Sequence, residues 1–352
     1  MLIIILVFIG LAFLILAHEA GHFFVAKAFK MKVDEFGFGF PPRIFAWRPK
    51  GSETEYSLNW IPFGGFVKIA GENDPAPGIE GGVAGEVSKE EKKHLFAFAP
   101  AWKRALVMLA GVTVNFVIGW LLVSAVFMVG SPKALVITDV EQGSPAAQAG
   151  VISGDVVRGF TDAQSFISYV NAHRGQEISL SVTRDGKDLF FNVVPRVNPP
   201  PNDGAVGVAL AEAGEARHGF FASLWMGLEE SALLVPVTFG ALWALIVGLF
   251  AHASLLPGVV GPVGIFSVAE ETGRIGLIYL VQLVSVISIN LTVVNLIPFP
   301  ALDGGRFFMI IIEKIKGSPI PRSVENWVNT AGFAFLIGLM LLLTVRDVAH
   351  LL

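Results

Sequence analysis

Along much of this chain apolar residues neither alternate nor form a stripe; they run on without interruption. Met1–Ala17 carries no charged side chain, and the apolar run continues past His18, Glu19 and His22 to Phe29. Similar runs lie at Ala105–Val129, Ile275–Ile297 and Trp327–Val345. A helix needs about 20 mostly apolar residues to cross a bilayer core, so the pattern predicts about four transmembrane helices, near 1–29, 105–129, 275–297 and 327–346. Phe220–Phe250 is also apolar but carries Glu229 and Glu230. A carboxylate is costly in lipid, and an amphipathic or re-entrant element is expected there rather than a span. The first run lacks the basic start and small-residue cleavage site of a signal peptide, and it is expected to stay.

The pattern changes between the spans. Ser57–Ala70 (SLNWIPFGGFVKIA) reads as a β-hairpin, about 55–70, with Pro62 and Gly64-Gly65 at its turn. It is too apolar for an ordinary surface loop and is expected to dip into the membrane edge. Ser131–Pro195 has strand-like runs at Ala134–Val140, Asp155–Phe160, Glu177–Thr183 and Leu189–Val194. A short helix is predicted at Ser165–His173 and a hairpin turn at Arg184-Asp185-Gly186-Lys187. This predicts a small α/β domain over 131–197, followed by a proline-rich linker at Asn198–Asp203. The organisation is thus an N-terminal membrane core (1–130), the α/β domain, a linker with the amphipathic or re-entrant segment (198–274), and a C-terminal membrane core (275–352).

Composition agrees with lipid as part of the solvent. The 352 residues are 53% hydrophobic and 15% charged, against about 25% charged in soluble domains, and mean hydropathy is +0.66. A net charge of -4 gives no nucleic-acid signal. The absence of cysteine removes disulfides, a thiol nucleophile and Cys-ligated zinc. Charge also orients the chain. Lys27–Arg104 holds twelve of the 25 Lys and Arg, and Arg306–Arg322 has four basic residues against one acidic. Both segments are expected on the cytoplasmic side, which places the α/β domain outside.

The chemistry concentrates at HEAGH, His18 to His22. Residues at i and i+4 share a helix face, so both imidazoles can hold one ion, with Glu19 beside its open position as a general base for water. Two packing histidines are the alternative. An apolar span interrupted by two imidazoles and a carboxylate favours the metal, because ionisable groups in membrane helices are functional by default. A catalytic zinc takes three protein ligands plus water. Asp303, in NLIPFPALDGG (Asn295–Gly305), is the best candidate for the third. Pro298 and Pro300 break the helix before it, and Gly304-Gly305 permits a tight turn. Its alternative role is to cap the following helix.

HEAGH in the first span, GGFVK after it and NLIPFPALDGG before the last span resemble the site-2 protease family, in the bacterial branch named for regulator-of-sigma-E protease. The resemblance covers nearly the whole chain. It implies one Zn²⁺ per chain held by His18, His22 and Asp303, with Glu19 as the catalytic base. It implies a membrane-associated hairpin that offers an edge strand to substrate, with Gly65, Phe66 and Val67 there, and Asn295 helping to hold the unwound substrate. Gly261-Pro262-Val263-Gly264 matches another family segment. Gln142–Val157 (QGSPAAQAGVISGDVV) makes the outer domain similar to a single extracytoplasmic PDZ domain. The fold class implied is a polytopic α-helical membrane protein with that hairpin and that domain. The location is the bacterial cytoplasmic (inner) membrane, with the active site toward the cytoplasm. The partners implied are membrane lipid, single-pass transmembrane substrates (anti-sigma factors or remnant signal peptides) and an upstream site-1 type protease that cuts them first. A non-catalytic PDZ adaptor is disfavoured by the intact ligand set, and a transporter by the absence of an internal repeat.

Overall fold

The computed structural model describes residues 2–72, 88–131, 133–184, 187–200, 203–252 and 260–351. In chain order the elements are α1 (Leu2–Ala28), β1 (Val33–Trp47), β2 (Glu55–Ile69), α2 (Lys89–Lys92), α3 (Ala101–Val129), β3 (Ala134–Val140), α4 (Pro145–Ala149), β4 (Val156–Val157), α5 (Ala163–Ala172), β5 (Ile178–Arg184), β6 (Lys187–Val193), β7 (Val208–Ala213), α6 (Phe220–His252), α7 (Pro262–Ile275), α8 (Leu277–Leu296), α9 (Asp303–Lys316) and α10 (Arg322–Leu351). The Gly- and Pro-rich stretch between Asp74 and Gly85, and the tip of the Arg184–Lys187 turn, lie outside the described residues.

Among the described residues five helices, not four, are long and apolar enough to cross a membrane: α1, α3, the 220–248 part of α6, α8 and most of α10. The fifth lies where the sequence predicts an amphipathic or re-entrant element, and it has the length and apolar content of a span. α6 is one continuous 33-residue helix through Pro236. The two glutamates that argued against a span fall in its first third, and residues 231–250 after them carry no charge. The proline removes one backbone hydrogen bond, a defect that membrane helices tolerate.

The chain divides into two compact units. One contains residues 121–230 and with them the α/β domain, whose five strands lie in the order β6-β5-β4-β3-β7. Its core is Leu135, Ile137, Phe166, Val182 and Val193, all nearly inaccessible. The helices start where capping chemistry puts them. Ser144 accepts the Ala147 N–H ahead of Pro145, and Asp162 accepts the Ser165 N–H. Asp155 is fully buried and is satisfied by Arg184, through two contacts of 2.7 Å, and by the Ile152 N–H. The domain boundary expected at residue 197 is too early. After the proline-rich linker the chain returns as β7, paired with β3 from Ala134↔Ala213 to Val140↔Val208. VALAEA has little intrinsic strand preference; pairing with β3 makes it a strand. The run expected at Asp155–Phe160 forms only the two-residue β4.

The other unit holds most of α1, α3, α8 and α10, together with β1, β2 and α9. Three helices meet closely. A Cβ on Gly21 of α1 would lie 2.8 Å from the Ala110 carbonyl oxygen of α3, and one on Gly10 would lie 3.2 Å from Val284 of α8. Ser288 of α8 donates to the Asn115 carbonyl of α3 at 2.7 Å. Small and hydroxyl residues at such contacts let backbones approach where no hydrophobic force between helices operates. The contact pairs show α1 and α8 running the same way and α3 opposite to both.

β1 and β2 form a bent two-stranded sheet. Residues 35–38 lie opposite 65–68 on one side and 55–58 on the other. The reversal expected at Pro62–Gly65 is therefore inside β2, and its two arms pair with the start of β1 rather than with each other. The 65–69 arm has a partner on one side only among the described residues. Phe40, Ile44, Phe45, Trp47, Trp60 and Ile61 are exposed on this sheet.

Phe166 is the largest fully buried side chain. Phe166→Ala should destabilise the α/β domain by about 3–5 kcal/mol, read as loss of hydrogen-exchange protection in β3, β5 and α5. A change below about 1 kcal/mol would contradict this packing.

Candidate metal centre and active site

His18 and His22 project from one face of α1 toward α3, 8% and 6% exposed. Their rings meet edge to face with centroids 4.8 Å apart, and their Nε2 atoms are 3.2 Å apart. The Nδ1 of His22 lies 2.7 Å from the Val107 carbonyl oxygen. A carbonyl only accepts, so Nδ1 carries the hydrogen and Nε2 keeps a lone pair.

Asp303 reaches the pair from the other end of the chain. After α8 the backbone turns tightly, with the Phe299 N–H donating to Ile297 O and the Leu302 N–H to Phe299 O. Ala301 adopts φ +72°, a left-handed conformation that costs a residue with Cβ roughly 1–2 kcal/mol. Its N–H donates to Asn329 Oδ1 of α10 at 3.2 Å. Gly332 of α10 lies so close that a Cβ there would meet Pro300 at 2.6 Å. The last helix thus braces the turn. Leu302 occupies the cap position of α9, with no side-chain cap bond. Asp303 is the first residue inside that helix and its carboxylate points to the histidines, so the capping alternative is not realised.

Asp303 Oδ2 lies 2.9 Å from His18 Nε2 and 3.2 Å from His22 Nε2. Burial by itself would raise the Asp303 pKa; the hydrogen bonds and charge of His18 and His22 outweigh it and hold the carboxyl below the ordinary range. The three atoms form a near-equilateral triangle. Tetrahedral zinc with bonds of about 2.0–2.1 Å separates neighbouring ligands by roughly 3.3 Å. The donor set, two imidazole nitrogens and one carboxylate oxygen, therefore suits zinc in chemistry and in size. The ligand atoms these residues offer lie within 4.8 Å of one another.

Glu19 lies beside this triangle and under β2. A Cβ on Gly65 would stand 3.0 Å from Glu19 Cγ, so only glycine lets the strand pass so near. The ring of Phe66 covers Gly37, whose Cβ would meet it at 2.4 Å, and Val67 packs against the core around Val33 and Ile69. Asn295 lies half-buried near the end of α8, eight residues before Asp303. The structure thus brings His18, His22, Asp303, Glu19 and Gly65 together, with Phe66 and Val67 continuing the same strand.

Sequence reasoning missed three features here. Asn115 of α3 is buried with its amide nitrogen 3.2 Å from His18 Nδ1; a lone amide in a charge-free span was the available signal. Asn329 braces the turn and carries no signal in its spacing. Arg306, one turn after Asp303, pairs with Glu72. That pair borders a cavity of about 900 Å³, also lined by Arg104 and Glu313, which pair at 2.9 Å.

A helix-borne histidine pair, a glutamate between them and a distant aspartate, set in apolar helices, define a membrane-embedded metallopeptidase. The chain belongs to peptidase family M50, the site-2 protease family, whose model matches residues 6–339. It is similar to the "Putative zinc metalloprotease CPE1693" of Clostridium perfringens, with 33% identity over 350 residues, 97% of this chain and 98% of the relative. A Synechocystis relative, slr1821, named in the same way, is 32% identical over 97% of this chain and 93% of its own length. The "Regulator of sigma-W protease RasP" of Bacillus subtilis is 27% identical over 415 aligned positions, 96% of each chain.

Gly304 lies tight against the turn, where a Cβ would lie 2.3 Å from the Ile297 carbonyl oxygen. Gly304→Ala should open the turn and lower peptidase activity by about 100-fold, the size of loss that a 1 Å misplacement can cause. Gly338→Ala, with nothing within 4 Å, should leave activity unchanged. Equal activity of both variants in a peptide-release assay would refute the role given to this turn.

Proposed function

We propose that the protein is a zinc-dependent endopeptidase that cuts transmembrane segments of single-pass membrane proteins. The meeting of Asp303 Oδ2 with both Nε2 atoms supports this most directly. His18, His22 and Asp303 would hold one Zn²⁺ per chain. Zinc bound there would polarise the scissile carbonyl and lower the pKa of its bound water to about 7. Glu19 takes a proton from the attacking water and delivers it to the departing nitrogen.

A helical substrate hides its amides in internal hydrogen bonds and must unwind to be cut. The 65–69 arm of β2, paired on one side only and passing Glu19, offers a ladder to an extended segment. Gly65, Phe66 and Val67 are assigned to that ladder. Asn295 is assigned as a further donor or acceptor for the unwound substrate. The Glu72–Arg306 pair, at the edge of the cavity and one turn from Asp303, is assigned to a polar approach for water.

The basic segment 27–104 and α9 are assigned to the cytoplasmic face of the bacterial inner membrane. Since α1 and α8 run the same way and α3 runs opposite, the chain makes no net crossing between α3 and α8, and α6 enters this topology as a non-crossing element although its length and apolar content would suffice for a span. α7, 14 residues and about 21 Å long, is too short to recross a 30 Å core. The α/β domain is then extracytoplasmic. We read it as a PDZ domain that admits substrates already shortened by an upstream protease. The sigma-W regulator RasP as a relative favours anti-sigma factors, or remnant signal peptides, as substrates.

Glu19→Gln keeps the shape of the side chain and removes the base. Cleavage of a model single-pass helix in liposomes should fall by about 10²–10⁴-fold, with zinc content unchanged by metal analysis. Cleavage at the wild-type rate would overturn the assignment.

A further inference from the structure

We propose that Asn115 is a positioning residue for the metal centre, with its side-chain oxygen accepting the His18 Nδ1–H so that His18 Nε2 is left free to bind metal. The inference rests on the zinc reading above. It follows from one face of α3, which presents Val107, Gly111 and Asn115 at four-residue spacing toward the histidine pair. Val107 sets the tautomer of His22 through its carbonyl. Gly111 clears the space between; a Cβ there would lie 2.4 Å from His22 Nε2 and 2.8 Å from His18 Nε2. Asn115 is 1% exposed and lies against the outer nitrogen of His18.

Two atoms of Asn115 compete for that nitrogen. With Nδ2 toward the ring, at 3.2 Å, His18 must carry its hydrogen on Nε2, the atom that faces Asp303. Asn115 Oδ1 is then buried without a hydrogen-bond partner. A half-turn about the Cβ–Cγ bond exchanges the two atoms without changing the shape of the group. Oδ1 then receives the Nδ1–H, and the lone pair of His18 moves to Nε2. Both histidines end in the same state, each with its outer N–H given to an oxygen of α3. Metal-bound histidines almost always donate their second N–H in this way.

A purely structural role for the side chain is not needed. The α3–α8 contact at this level uses the Asn115 backbone carbonyl, which accepts from Ser288 Oγ at 2.7 Å and survives any substitution.

The test uses the purified full chain in detergent, with zinc affinity measured by chelator competition. Asn115→Leu, close in volume and without a polar atom, should weaken zinc binding about 10–100-fold, and its activity should recover as free zinc is raised. Asn115→Asp, which offers only acceptor oxygens, should stay within about threefold of wild type, since carboxylates serve as well in this role. If Asn115→Leu does not fold, Asn115→Ala, which removes atoms and adds none, takes its place. Wild-type zinc affinity in the apolar variant overturns the proposal. So does Asn115→Asp binding as weakly as the apolar variant, which would mean that the amide nitrogen is the working atom. A wild-type chain that binds no zinc at all removes the zinc reading, and this inference with it.

Discussion

Two imidazole nitrogens and a carboxylate oxygen share a space barely wider than one ion, in a protein whose surroundings are mostly hydrocarbon. Such donors repel or compete unless something between them accepts their lone pairs, and lipid supplies no water to relieve them. The rest of the membrane unit follows from holding them there. α1 provides two donors at a fixed pitch, and Gly21 lets α3 come close enough to grip both rings. α8 runs beside α1 in the same direction and ends in a turn that returns the third donor to the pair. The tight glycines and the left-handed Ala301 are local costs of that convergence.

The histidine pair was legible because helical spacing is a strict ruler and polar groups stand out in an apolar run. Asp303 was legible from the broken helix before it, although the residues alone left a capping role open; the geometry closes it by placing Leu302 at the cap. Asn115 was not read, because one amide in a span announces neither its partner nor its direction. The family relationship, covering residues 6–339, agrees with the motif spacing that first suggested it.

Elements formed by long-range pairing were the least visible. β7 has one strand-favouring residue, Val208, among alanines, a leucine and a glutamate, and it exists because β3 lies open beside it. The apolar sheet near Glu19 was expected as a simple hairpin, but its two arms embrace the start of β1, a register set by residues 33–38 that local pattern does not mention. The length of α6 was not visible either, because its two charges lie in the first third of a 33-residue helix that runs on through Pro236.

The bracing of the 297–303 turn by Asn329 and Gly332 links the third metal-facing residue to the final helix rather than only to the one that precedes it. A rigid rod of 30 residues acts as a lever: a small change in its lean displaces the Ala301 amide, and Asp303 is two residues on. Tilting is one of the ways in which such a rod answers a bilayer thinner than its apolar length. Where the last helix does lean, the position of Asp303 beside the histidine pair is thereby coupled to bilayer thickness, through a helix that contributes no ligand atom of its own.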